Sequence, residues 1–161
     1  MSNEPGVNEP GVKELGHVVL YVRDLERSVR FYRDALGWRQ IFAEETQAIG
    51  FPAAMFSGGR THHELLLIEV GPDAAAIPPG RRVGLYHFGL KVGDRDEDLV
   101  AMLRKLEAAG VTVGGSADHG MTHSLYIADP DGNEIELYID VPGADWTDPD
   151  VVMGRPKPLR I

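Results

Sequence analysis

Cysteine is absent from the 161 residues. That excludes a disulfide framework, a thiolate nucleophile and any thiolate-held zinc or iron-sulfur centre, so a metal would have to sit on His, Asp or Glu. Long apolar runs are also missing: none approaches the ~20 residues of a membrane span, and the first residues do not pair a basic flank with an apolar core and a cleavage site. A soluble, cytoplasmic protein is the expectation, with no membrane partner. Basic residues are in deficit. Sixteen Lys and Arg face twenty-five Asp and Glu, and a net charge of -9 repels phosphate backbones and anionic lipid, so no nucleic-acid partner is expected either. What is present is enough chain to bury roughly 70% of its unfolded surface without covalent staples.

Residues 3–12 read NEPGVNEPGV, a five-residue unit repeated once with Pro-Gly turns and no apolar period. Such a segment cannot bury enough surface to order itself, and residues 1–12 are expected to be a disordered tail. From Leu15 to Val22 the pattern becomes β-prone; Asp24 then precedes Leu25, Val29, Tyr32 and Leu36 at helical spacing, with Asp24 placed to cap the start and Gly37 the end. Short β-prone runs follow near 38–45, 51–57 and 61–70. After a Pro- and Ala-rich break the order starts again. Leu85 to Val92 predicts a strand, Asp94 with Glu97 resembles a capping box, and Leu99, Leu103 and Leu106 mark a helix ending at Gly110. Strands near 111–114, 122–128 and 133–140 complete it. The chain therefore divides into a tail (1–12), a first βαβββ module (13–71), a linker (72–83), a second module (84–140) and a C-terminal extension (141–161), part of which Trp146 is expected to pack back onto the body. His17 and His87 occupy the same place in the two modules, 70 residues apart.

The stretches GHVVLYVRDLERSVRFYRDALGW, YHFGLKV and DPDGNEIELY resemble the vicinal oxygen chelate superfamily of glyoxalases, bleomycin resistance proteins and extradiol dioxygenases. The resemblance runs over about residues 13–140 and is nearest to single-pair type I extradiol (catechol 2,3-) dioxygenases. It implies an α+β fold in which two βαβββ modules form an open, U-shaped mixed β barrel, helices outside, around a metal. By strand alternation, Glu136 facing inward carries Glu134, Tyr138 and Asp140 with it and turns Ile135, Leu137 and Ile139 to the helix side. A carboxylate facing a buried cup is costly unless paired or bound to a cation. Singly, a strand histidine is more often a hydrogen-bonded core residue; jointly, at equivalent points of a repeat, His17, His87 and Glu136 are expected to ligate one divalent ion. Two His and one carboxylate leave open positions and suit Fe(II), with Mn(II), Zn(II) and Ni(II) as alternatives.

Setting ELLLIEV (64–70) on EIELYID (134–140) puts Leu66 where Glu136 stands, so a fourth ligand is missing. That disfavours glyoxalase I, which usually presents four. The resemblance also implies catalytic roles for His62, in proton and oxygen handling, and for His119 and Tyr126, in contact with a bound catecholate. Alternation places His62 in the cup and turns His63 and His123 away from it. The activity implied is ring cleavage of a catechol-like vicinal diol beside its hydroxyls, with both atoms of O₂ incorporated. The partners are then a small aromatic diol and O₂, with homo-oligomerisation left open. The rivals are a glyoxalase-like lyase or isomerase of the same superfamily, which stabilises an oxyanion without O₂, and a drug-binding resistance protein that needs no metal.

Overall fold

The computed structural model describes residues 11–41 and 50–161. The expected tail lies outside the described residues except for Gly11 and Val12, which are exposed and carry no regular structure. The first module runs β1 (Val18–Val22), α1 (Leu25–Arg30, widening to a π turn over Phe31–Ala35), β2 (Ala53–Phe56) and β3 (Leu65–Glu69). The second runs β4 (His87–Gly93), α2 (Asp96–Ala108), β5 (Val113–Asp118), β6 (Thr122–Ala128) and β7 (Glu134–Asp140), and a short α3 (Pro149–Val152) follows. Of the strand expected at 38–45, only the bridge from Gln40 to Phe56 falls among the described residues. No described helix is long and apolar enough to cross a membrane.

Apolar period decides the helices and caps set their ends. Leu25, Val29, Tyr32 and Leu36 are all buried, Asp24 accepts a hydrogen bond from the Arg27 N–H at 2.9 Å, and Gly37 leaves the helix at φ +79, where an L side chain would be strained. The cap of α2 lies one residue later than the sequence pattern placed it. Asp98, not Glu97, accepts from the backbone N–H groups of Asp94 and Arg95, at 3.0 and 3.2 Å, because Arg95 is the residue that turns into the helix.

The strands form two sheets, ordered β1-β3-β2 and β4-β7-β6-β5. In each, the first strand pairs in parallel with the last, and the registers match: Val18 faces Leu65 as Phe88 faces Ile135, and Val19 faces Leu66 as Gly89 faces Glu136. The duplication inferred from the sequence is therefore also a duplication of sheet register. Among the described residues no ladder joins the two sheets, so the expected β architecture is open, not closed. One apolar core serves both modules, taking in Val29 and Phe56 of the first and Leu106, Leu125 and Leu137 of the second.

A polar latch fastens the halves. The buried Asp129 accepts hydrogen bonds from the Tyr32 hydroxyl (2.9 Å), from the N–H groups of Asp131 and Asn133, and from the Asn133 side-chain amide. Next to it Asp131 accepts from the Arg23 backbone N–H at 3.1 Å and pairs with its guanidinium at 3.4 Å. The C-terminal extension does return to the body, but not through Trp146, which is exposed. It returns through paired backbone hydrogen bonds between Asp118 and Lys157, and through Leu159, which packs on the core.

Burial, then the Asp129 charge and its hydrogen bond, holds the Tyr32 phenol well above the ordinary tyrosine range. Its stabilising contribution is thus fully present below the unfolded-state value of about 10 and is lost as pH rises beyond it. Tyr32→Phe should lower unfolding free energy by about 1.5–3 kcal/mol at pH 7, the usual worth of a hydrogen bond to a charged group. In denaturant titrations the gap between variant and wild type should narrow above pH 10. A gap that is constant with pH would show that the hydroxyl does not carry this coupling.

Candidate metal centre

The sheet of the second module has one apolar and one polar face. Ile135, Leu137 and Ile139 are buried against the core, while Glu134, Glu136, Tyr138 and Asp140 lie partly exposed on the other side, as the alternation predicts. Parallel pairing sets His87 beside Glu134 and Gly89 beside Glu136, and antiparallel pairing sets Tyr126 beside Glu136. Three neighbouring strands thus aim polar side chains at one place.

There, His87 Nε2 lies 3.2 Å from Glu136 Oε2. The other ring nitrogen of His87 is buried and makes no hydrogen bond, although Glu134 stands 3.4 Å away. Glu136 Oε1 accepts from the Ser124 hydroxyl at 2.6 Å and from the Tyr126 hydroxyl at 3.3 Å. His119 Nε2 lies 2.7 Å from the Tyr126 oxygen. Since that hydroxyl donates to Glu136, His119 Nε2–H is the donor to Tyr126, a tautomer set by the network. Burial, then the Glu136 charge and hydrogen bond, pushes the Tyr126 phenol up to about 12, so it stays a proton donor at neutral pH.

His17 lies elsewhere. Its ring is 4.5 Å from that of His63 and 6.0 Å from that of His62, and the Nδ1 atoms of His62 and His63 are 2.6 Å apart. His63 sits against both His17 and His62, so the alternation argument does not separate it from His62. β3 begins only at Leu65, so strand alternation does not extend to residues 62 and 63. Burial and the neighbouring His17 and His62 charges hold His63 below the ordinary histidine range. His123 does face away: it meets Asp96 at 2.6 Å and Asp118 at 3.7 Å.

His17 and His87 line one cavity of about 960 Å³, together with Arg60, Glu64, Gly89 and Lys91. Yet among the described residues no group of three His, Asp or Glu side chains is arranged to hold a metal ion. An imidazole nitrogen facing a carboxylate oxygen is a suitable pair of donors, and the unbonded second nitrogen of His87 leaves its tautomer free for ligation. These two residues fit a divalent ion. His17 lines the same cavity as His87 but is grouped with His62 and His63. Ser124 was missed by the sequence reading, although it lies two residues from Tyr126 and so on the same face of β6.

A family model described as the Glyoxalase/Bleomycin resistance protein/Dioxygenase superfamily matches residues 14–137. The chain belongs to that superfamily. Among its relatives, a catechol-2,3-dioxygenase of Bacillus subtilis is 36% identical over 132 residues, covering 82% of this chain but 43% of that protein. The chain spans about half the length of the ring-cleaving relatives it matches. A lactoylglutathione lyase of Haemophilus influenzae is 30% identical over 129 residues, covering 75% of this chain and 88% of that protein. Among solved structures, a lactoylglutathione lyase from Agrobacterium tumefaciens matches at a TM-score of 0.58 and 27% identity, over 80% of this chain and 95% of that one. The superfamily fold is thus shared with lyases somewhat shorter than this chain as well as with longer dioxygenases.

In the metal-free protein, the ultraviolet difference titration between wild type and Tyr126→Phe should show a phenol ionising near 12. In Glu136→Gln that midpoint should fall toward the ordinary value without reaching it, because burial is the larger cause. A midpoint that Glu136→Gln leaves in place would show that the two groups are not coupled.

Proposed function

We propose that this chain is a metal-dependent, extradiol-type dioxygenase acting on a catechol-like vicinal diol. The observation that carries the reading is the convergence of His87 and Glu136 at 3.2 Å, with the His119–Tyr126 pair hydrogen-bonded to the same carboxylate. The proposed ligands are His87 and Glu136, with His17 the third. The proposed catalytic residues are His62, His119 and Tyr126. When bound, a ferrous ion would supply redox chemistry and adjacent open positions for diol and O₂; Mn(II) is the nearest substitute.

The residues of the chain have definable tasks. Tyr126 keeps its proton, and when a bound diol displaces that hydroxyl from Glu136 it offers its one hydrogen bond to an anionic diol oxygen. His119, through Nε2–H, holds the Tyr126 oxygen so that the hydroxyl keeps its direction. His62, exposed with its ring 6.0 Å from that of His17, is the proposed proton-transfer group. Asp140 and Asp94 hold the Lys91 ammonium at 2.9 and 2.6 Å, so the far end of the polar face offers no free cation.

The lyase or isomerase reading stands second on one observation: the chain spans most of the length of the lactoylglutathione lyases it matches, and less than half of the catechol dioxygenase. Anaerobic Fe(II) loading followed by catechols and O₂ separates the two. The dioxygenase consumes O₂ and forms a yellow ring-opened product. His87→Ala should lose the metal, whereas His62→Phe and His119→Phe should keep metal content near wild type and lower turnover by about 10² to 10⁴-fold. Iron-loaded protein that consumes no O₂ with any catechol, yet catalyses a redox-neutral rearrangement, would transfer the assignment to the lyase.

A further inference from the structure

We propose that Ser124 is a positioning residue that, together with the empty space at Gly89, makes Glu136 a ligand through one oxygen only. The inference rests on the metal reading above. Ser124 is fully buried on β6, diagonal to Glu136 and on the same face, and its hydroxyl donates to Oε1 at 2.6 Å. That length belongs to a strong bond to a charged acceptor. Tyr126 donates to the same oxygen at 3.3 Å, so two donors engage Oε1 and stop the carboxylate from rotating. Oε2 is left facing His87 Nε2. In front of it lies Gly89, where a Cβ would stand 3.9 Å from Oε2 and only 3.1 Å from the Tyr138 ring. The missing side chain keeps the approach to Oε2 open.

The first module provides an internal control. At the same registers Val19 replaces Gly89, Leu66 replaces Glu136, Met55 replaces Tyr126 and Ala53 replaces Ser124. Where the carboxylate is absent, both hydroxyls and the open glycine are absent too. Ala53 is buried at its place, so packing there asks only for a small residue. The hydroxyl of Ser124 is therefore additional to what the fold needs, and its partner is Glu136.

The test uses the full chain and Co(II) as the probe. Ser124→Ala should weaken Co(II) binding about 10 to 100-fold, the usual cost of losing a residue that orients a ligand, and should alter the visible spectrum of the ion. Ser124→Thr, which keeps the hydroxyl, should stay within a few-fold of wild type. In a crystal of metal-free Ser124→Ala, the Glu136 carboxylate should have turned away from His87. Co(II) affinity unchanged in Ser124→Ala, or Glu136 unmoved in the metal-free variant, overturns the proposal. Wild type that binds no Co(II) instead defeats the metal reading; the position of Glu136 in the metal-free crystal still decides what Ser124 does.

Discussion

The parallel ladder between β4 and β7 is the constraint on which the site depends. It joins the first and last strands of a module across a helix and two intervening strands, and its register sets Gly89 against Glu136 and His87 against Glu134. A slip of one residue would send Glu136 into the core and Leu137 out of it, so the pairing is held by the apolar face opposite the site. Ile135, Leu137 and Ile139, all buried, thereby fix where the polar residues between them point. Site geometry is inherited from core packing on the far side of the same sheet.

The two sheets share register but solve opposite problems. In the second, a partly buried carboxylate must be compensated, and Ser124 and Tyr126 donate to it while His87 Nε2 lies 3.2 Å away. In the first, Leu66, Met55 and Val19 occupy the same places and need no partner, and among the described residues His17 is grouped with imidazoles. Duplication gave one frame, and side chains on one face made it asymmetric.

The DPDG turn (129–132) has a structural task distinct from the chemistry near it. Gly132, at φ +91, closes the turn, Asp129 collects four donors including the Tyr32 hydroxyl, and Asp131 receives Arg23. The start of β7 is thus tied to the helix of the other module. Glu136 sits on a strand whose position depends on both halves of the chain.

Local sequence determined the elements, because helical spacing, strand alternation, Asp caps and Gly stops act over a few residues. It also determined which side of β7 is polar, and the repeat that makes His17 and His87 counterparts. Superfamily membership could be read from those same segments. What only the tertiary structure decided lies between elements: the pairing of Ser124 with Glu136, the Tyr32–Asp129 latch 97 residues apart, and the grouping of His17 with His62 and His63 instead of with His87. Trp146 was a poor guide and Leu159 a silent one, since an apolar side chain in an irregular tail carries no period to show which surface it will meet. Contacts of that kind depend on where two sheets come to rest against a common core. Local preference acts over single turns and single strands and cannot specify that packing.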